Sequence, residues 1–209
     1  MLAASAARRG RPAPARGLRA CRRRFTLDTH SHFLPREWPN FAKRYGGAEW
    51  PWLRHGAPLP GGTFGYARSC DAMLMMGERD FRPVTRACWD TQARLDDLDA
   101  AGIDAQLISA TPILFQWSRE PRVAADVAAH FNDLALEMCD GSGGRLRALC
   151  QVPLQDVPLA CAEVDRAMRA GHVGVQIGNH VGTRDLDDNA LVDFLEHCAR
   201  VGAPVLVHP

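Results

Sequence analysis

The chain has 209 residues, of which 46% are hydrophobic and 23% are charged, and it carries a formal net charge of +1. This composition is typical of a globular protein with one sizeable core, and it argues against a disordered or fibrous chain. No apolar run reaches the roughly 18 residues that span a bilayer, so a membrane protein is not expected. The seven cysteines show no C-x-x-C spacing, which favours reduced thiols in a cytoplasmic protein.

The positive charge is concentrated at the N-terminus. Residues 1–24 contain eight arginines and no acid, so subtracting these eight charges from +1 leaves −7 for residues 25–209. An acidic body of this kind is not expected to bind nucleic acid. The basic segment is consistent with an organelle-targeting peptide, with a disordered basic arm, or with an upstream start codon that is not the real one. In each case residues 25–209 are expected to form the folded part.

After the basic segment, the sequence predicts a strand over about 25–30, followed by a long irregular insertion over about 33–88. A loop of this length is usually functional or forms a small subdomain. Within it, residues 69–82 are compatible with a β-hairpin that turns near Gly77. Three methionines in this stretch are interpreted as packing residues rather than as metal ligands.

Residues 90–208 alternate between apolar strands and amphipathic helices. Asp90 is a candidate N-cap for a helix that ends at Gly102. The remaining elements are predicted as strands over 103–110, 146–152, 173–177 and 205–208, with helices over 121–140, 158–170 and 188–201. Such alternation predicts a parallel α/β fold. The absence of a Gly-rich phosphate loop after the first strand argues against a nucleotide-binding sheet.

Two strands end in histidine. His30 and His32 lie two residues apart at the end of the first strand, so their side chains point to the same side. His208 ends the last strand. The C-terminal ends of parallel strands open onto one face, and three neutral imidazoles at one point could bind a divalent metal.

Four stretches together resemble a known family. They are residues 28–39 (DTHSHFLPREWP), 81–90 (FRPVTRACWD), 175–181 (VQIGNHV) and 207–209 (VHP). In order and spacing they are similar to the 2-amino-3-carboxymuconate-6-semialdehyde decarboxylase family of the metal-dependent amidohydrolase superfamily. The resemblance covers about residues 25–209, and the combination is specific although each piece alone is not.

The resemblance implies a (β/α)8 TIM barrel of amidohydrolase type with one Zn2+ ion, held by His30, His32 and His208. It implies that Arg82 binds a carboxylate of a small dicarboxylate substrate, and that the full-length protein forms a homodimer. His180 lies on the same expected face, where it either lines the substrate pocket or caps the next turn. The family's catalytic histidine follows strand six and its fourth metal ligand follows strand eight. Both are expected beyond Pro209, so no catalytic residue is assigned.

The family reaction is a non-oxidative decarboxylation, in which zinc acts as a Lewis acid and generates hydroxide at neutral pH. Asp28 is expected to support the histidines or to hold the strand end. Two other functions stay open: a sister enzyme on the same scaffold, either an aromatic-acid decarboxylase or a hydrolase or hydratase, and a non-catalytic remnant. Five βα steps are fewer than eight. The 209-residue chain is therefore expected to be truncated after about strand five, inactive and poorly soluble.

Overall fold

The computed structural model describes residues 24–56 and 71–209. Its framework consists of five strands that run parallel to one another: β1 (Leu27–Phe33), β5 (Ala105–Ala110), β6 (Leu146–Ala148), β7 (Val175–Gly178) and β10 (Val205–His208). They pair in the order β1-β5-β6 and β7-β10, and a parallel bridge between Cys150 and Val175 connects the two groups. The predicted parallel α/β architecture is confirmed.

Four helices cross between these strands: α2 (Thr91–Ala101), α3 (Pro121–Asp140), α4 (Val157–Ala170) and α5 (Asn189–Val201). Each begins at an acidic residue whose carboxylate accepts a backbone N–H of the first turn; Asp90, for example, accepts from Ala93 at 2.8 Å. α2 ends at Gly102, which adopts the left-handed conformation (φ 68°). The sequence predicted both ends of α2 because an N-cap acid and a C-terminal glycine satisfy the unpaired groups of a helix.

The helices bury one face against the sheet. Val127, Phe131 and Ala135 of α3 are each at most 1% exposed, and they join a core cluster with Leu146 of β6. A second cluster brings Leu191 and Phe194 of α5 against β7 and α4. Burial at i, i+4 and i+8 along α3 is the periodicity of an amphipathic helix, so these helices owe their stability to packing on the sheet.

The described part of the insertion is regular, so its prediction as irregular was wrong. It contains the short helix α1 (Phe41–Tyr45) and the strands β2 (Pro51–His55), β3 (Ala72–Met76) and β4 (Arg79–Val84), which form an antiparallel sheet in that order. The predicted hairpin turn at Gly77 is confirmed, with φ 57°. The alternation that identifies a strand is hidden in β3, where four consecutive residues are buried. Residues 57–70 of the insertion lie outside the described residues.

Arg119 fastens this antiparallel sheet to the main sheet. Its guanidinium lies 3.5 Å from the ring centre of Trp50, donates to the Ala48 carbonyl at 3.1 Å and donates to the Gln116 side chain at 2.6 Å. Gln116 and Glu49, the two non-glycine residues with positive φ in the described part of the chain, both lie beside it. Such conformations persist only where surrounding contacts hold them, so Arg119 fixes two strained turns at once.

The strand boundaries differ most from the predictions at the ends of β1 and β6. β1 runs to Phe33 rather than 30, because its ladder with β5 continues to the pair Phe33–Ala110. β6 stops at Ala148 rather than 152, although Cys150 still bridges to Val175. Two further two-residue strands, β8 (His180–Val181) and β9 (Arg184–Asp185), pair with each other after β7.

Two expectations about the chain can be compared with the described residues. None of their helices has the length and apolar character needed to cross a membrane. The five cysteines at 88, 139, 150, 161 and 198 are free thiols, as expected, and burial raises the pKa of the Cys139 thiol to about 11. The basic arm at 1–23, Cys21 and Cys70 lie outside the described residues.

Gly174 provides a test of the packing between β7 and β10. A Cβ at this position would lie 2.6 Å from the Pro204 carbonyl oxygen and 3.1 Å from Leu149 Cδ2. Gly174→Ala should therefore reduce the free energy of unfolding by about 1–3 kcal/mol, the usual cost of overpacking. Urea denaturation measures this change.

Gly141→Ala is the matched control. Its φ of −81° suits alanine, and its Cβ would meet Thr91 Cγ2 at 3.8 Å, which is ordinary contact. The free energy of unfolding should stay within about 0.5 kcal/mol or rise slightly. Equal effects of the two substitutions would contradict the assigned contact between Gly174 and Pro204.

Candidate metal centre

The three histidines that the sequence singled out converge in space. His30 and His32 extend from β1 and His208 from β10, and their ligand nitrogens all lie within 4.8 Å of one another. The ring centres are 5.3 Å apart for His30–His32, 4.8 Å for His30–His208 and 4.9 Å for His32–His208. The Nε2 atoms of His32 and His208 are 3.0 Å apart. The site thus joins the first and the last strand of the parallel framework.

This convergence requires the sheet to curve. In a flat sheet, four strand spacings of about 4.8 Å would separate β1 from β10 by ~19 Å. Histidine side chains from opposite edges would then fail to touch. The sheet instead curls so that the C-terminal ends of β1 and β10 face each other, which is the arrangement of strands one and five in a barrel.

His32 is held in the neutral form. Burial, together with the neighbouring His208 and His30, lowers the pKa of its imidazole to about 4. Its Nδ1 lies 3.2 Å from Ser109 Oγ. If Nδ1–H donates to this hydroxyl oxygen, the lone pair of Nε2 is free and points towards His208. A metal requires that state of a histidine ligand.

Two buried polar residues support His32 from the neighbouring strands. Ser109 on β5 donates to the side-chain oxygen of Gln176 on β7, and its hydroxyl lies 3.1 Å from the Ser31 carbonyl. Gln176, which is fully buried, donates in turn to the Ala110 carbonyl at 3.3 Å. This chain of contacts fixes the position of the Ser109 hydroxyl, and therefore the orientation of the His32 ring.

The donor set fits a single divalent transition metal. A tetrahedral zinc ion with bonds of about 2.0–2.1 Å to nitrogen would set its ligands roughly 3.3 Å apart. The Nε2 atoms of His32 and His208 already stand near that separation, at 3.0 Å. Three imidazoles leave at least one coordination position for water or substrate. His30 would complete the set, since its exposed side chain brings a ligand nitrogen within 4.8 Å of the other two.

A cleft of about 670 Å³ opens beside His208. Its lining includes His180, as one of the two sequence interpretations expected, together with Trp117, Gln116, Arg119 and Glu49. His180 is exposed, and its Nδ1 lies 2.7 Å from the Asn179 side-chain oxygen. Trp117 donates to the Val152 carbonyl at 2.8 Å and packs against Gly178. The cleft therefore has a rigid aromatic wall, one cationic residue and an imidazole close to the metal ligands.

Arg82 lies apart from this cleft. It is an exposed residue of β4, paired across the antiparallel sheet with Leu74, and its guanidinium is 5.9 Å from the Phe81 ring centre. Within residues 24–56 and 71–209 it makes no ion pair with a carboxylate, and it is not among the cleft-lining residues. The structure thus brings His30, His32, His180 and His208 to one end of the strands, and leaves Arg82 on the neighbouring sheet.

Several residues of the centre were not singled out from the sequence. Ser109, Gln106 and Gln176 are polar residues within otherwise apolar strands. A buried polar residue must find a hydrogen-bond partner, so such interruptions could have marked them. Trp117 and Arg119 follow β5 in a loop, and the sequence offered no signal for them because their partners come from distant segments.

Comparison with known proteins identifies the family of this chain. Residues 27–209 match the family model described as Amidohydrolase. The chain is 31% identical to the 2-amino-3-carboxymuconate-6-semialdehyde decarboxylase of Dictyostelium discoideum, covering 90% of this chain and 49% of that relative. It is 28% identical to the enzyme of the same name from Caenorhabditis elegans, covering 77% of this chain and 42% of that relative.

A solved structure shows the same fold. The 5-carboxyvanillate decarboxylase of Novosphingobium aromaticivorans, in complex with manganese, superposes with a TM-score of 0.62 at 22% identity. The match covers 88% of this chain and 50% of the other. Together with the parallel fold and the histidine cluster, these matches show that the chain belongs to the amidohydrolase family. It resembles 2-amino-3-carboxymuconate-6-semialdehyde decarboxylases, as the sequence motifs predicted, and spans about half the length of the curated relatives it matches.

Each of the three histidines can be tested as a ligand. Alanine at His30, His32 or His208 should weaken Co2+ binding by more than the roughly 10–100-fold that loss of a supporting contact costs. Isothermal titration calorimetry on the metal-free chain measures the affinity. His197→Ala is the control, because His197 lies between α5 and α4 and pairs with Asp165 at 2.8 Å. An affinity unchanged in the three variants would refute the centre.

Proposed function

We propose that this chain provides the metal-binding part of an enzyme that decarboxylates 2-amino-3-carboxymuconate-6-semialdehyde without oxidation. The observation that carries the proposal is the convergence of His30, His32 and His208 at the strand ends, beside a cleft. The two curated relatives that share this name support the choice of substrate. The reaction needs no redox or organic cofactor.

His30, His32 and His208 would hold one divalent metal, which we propose to be Zn2+ because imidazole ligands suit it. A bound metal would supply Lewis acidity and would lower the pKa of water at its open position. The residues of this chain provide the surroundings. Ser109 orients His32, and Trp117 forms an apolar wall on the cleft.

The substrate of the proposed reaction carries two carboxylates. A guanidinium can bind a carboxylate through two parallel hydrogen bonds. On the family resemblance we assign this role to Arg82, which lies on β4 outside the cleft lining and makes no ion pair within the described residues. We also propose that His180, on the lining of the cleft, donates to or accepts from substrate oxygens. The pairing of two such barrels as a homodimer is part of the same proposal.

A second candidate is a decarboxylase of aromatic acids. The structural likeness to 5-carboxyvanillate decarboxylase favours it, and an aromatic wall at Trp117 would suit a planar ring. The protein at its natural length should be assayed for CO2 release with the muconate semialdehyde, 5-carboxyvanillate and 2,6-dihydroxybenzoate. Turnover of the first substrate alone supports the proposal, and turnover of a benzoate alone establishes the alternative.

The same assay tests a third hypothesis, that the chain is not catalytic. We expect the isolated 209 residues to release no CO2 from any of the three substrates, because the proton-transfer histidine expected from the family resemblance is not assigned within them. Measurable turnover by the isolated chain would contradict this expectation and would place a catalytic group among residues 1–209.

Arg82 is tested by substitution in the active, natural-length protein. Arg82→Gln should lower kcat/KM for the muconate semialdehyde roughly tenfold to a hundredfold, because a hydrogen bond to a charged group is worth about 1.5–3 kcal/mol. Steady-state kinetics measure this change. Arg79→Gln is the control, since Arg79 is exposed on the same strand and pairs with Glu49 at 2.8 Å. Equal losses in the two variants would reject the role of Arg82.

A further inference from the structure

Arg94 of α2 is a buried cation that contacts no carboxylate among residues 24–56 and 71–209. It is 7% exposed. Its guanidinium donates to the His32 carbonyl at 2.7 Å, the Gln106 side-chain oxygen at 2.8 Å and the Ala87 carbonyl at 2.9 Å, with a longer contact of 3.4 Å to Ser31 Oγ. Burial lowers the pKa of this guanidinium, although an arginine remains charged in proteins.

A buried guanidinium is an energetically unfavourable group with which to fill this space. Burial of a charge is unfavourable unless it is paired and fully hydrogen-bonded, and an apolar side chain of similar size often packs as well or better. Every acceptor of Arg94 in the described part of the chain is neutral. Packing alone therefore does not account for an arginine here, whereas its contacts point to a function: two of them reach Ser31 and His32, adjacent residues of the strand that carries the metal ligands.

A second connection from Arg94 reaches the other ligand. Gln106, which accepts from Arg94, donates through its own amide to Asp28 Oδ2 at 2.7 Å. The other carboxylate oxygen of Asp28 accepts the backbone N–H of His30 at 3.0 Å. Arg94, Gln106 and Asp28 thus form a chain of hydrogen bonds that ends on the backbone of His30. The negative charge at Asp28 also partly balances the guanidinium through the polarised amide.

This chain of hydrogen bonds lies at the point where the ladder between β1 and β5 is interrupted. In the ladder with β5, Asp28 pairs with Gln106 and Ser31 pairs with Ile108, so three steps along β1 oppose two along β5. This is a β-bulge, which leaves one residue without ladder partners and bends the strand. His30 lies within the bulge and His32 just beyond it. The ladder resumes at the pairs Ser31–Ile108 and His32–Ser109, whereas His30 has no ladder partner, so the direction of the His30 side chain depends on other contacts.

We propose that Arg94, acting directly and through Gln106 and Asp28, is a positioning residue that fixes the bulged end of β1 so that His30 and His32 face His208. The inference rests on the proposed metal centre, but it concerns the strand and can be tested without metal. Arg94 touches neither the cleft nor the ligand nitrogens. It acts through the backbone of the two ligands.

Arg145 provides a matched comparison within the same sheet. It also sends a guanidinium fork to backbone carbonyls beside β5, those of Asp104 at 3.0 Å and Ile103 at 2.8 Å, and it pairs with Asp99 at 2.7 Å. These contacts lie before the start of β5, at the opposite end from the histidines. Arg145→Met should therefore cost stability without changing the direction of His30 or His32.

The first experiment uses the metal-free chain. Amide hydrogen exchange of residues 30–33 is measured by NMR in the wild type, Arg94→Met, Gln106→Leu and Arg145→Met. Exchange at the His30 amide should accelerate at least tenfold in Arg94→Met and Gln106→Leu, and should stay within about twofold of the wild type in Arg145→Met once global stability is matched with denaturant. Gln106→Leu retains the bond from Arg94 to His32, so it keeps the test valid if Arg94→Met does not fold.

The second experiment measures Co2+ affinity and the visible absorption spectrum of bound Co2+. Arg94→Met should bind at least tenfold more weakly with a changed spectrum, Arg94→Lys should recover part of the affinity, and Arg145→Met should match the wild type. If the exchange rate or the Co2+ affinity changes equally in Arg94→Met and Arg145→Met, Arg94 contributes only to general stability. That result would overturn the inference. A wild type that binds no Co2+ would overturn the metal centre, while the exchange data would still decide the role of Arg94.

Discussion

The centre depends on the curvature of a parallel sheet. Each ladder, from β1 through β5 and β6 to β7 and β10, adds a rotation between neighbouring strands. The accumulated rotation turns the C-terminal end of β10 towards that of β1, and only then do His32 and His208 come within 3.0 Å. The helices on the outside support this curvature, since their buried apolar faces pack against the strands in both core clusters.

Inside the curved sheet, polar side chains position the two histidines of β1 in addition to the backbone ladders. The ladders fix the strands relative to one another, but the ladder between β1 and β5 is interrupted at His30 and resumes at Ser31 and His32. On one side Arg94, Gln106 and Asp28 reach the backbone of both histidines. On the other side Ser109 and Gln176 orient the ring of His32. A polar network in an apolar interior is stable only when its members are satisfied, and this requirement gives the centre a defined geometry.

The antiparallel sheet of the insertion helps to shape the cleft and supplies none of the three proposed metal ligands. Arg119 holds it against the loop that follows β5, and in doing so stabilises the left-handed conformations of Glu49 and Gln116. These three residues line the cleft beside His208. The shape of the space next to the proposed metal therefore depends on a contact between two segments about 70 residues apart.

Local patterns in the sequence determined the four crossover helices, the caps of α2 and the parallel arrangement, because capping and amphipathic periodicity act over a few residues. They also identified His30, His32 and His208, since each ends a predicted strand. The bulge at His30, the regularity of the insertion, and the roles of Arg94, Ser109 and Gln176 came only from the tertiary structure. Those features depend on which strand lies beside which and in what register, and a register joins residues such as Asp28 and Gln106 that are 78 positions apart. Periodicity along one segment carries no information about such a pairing.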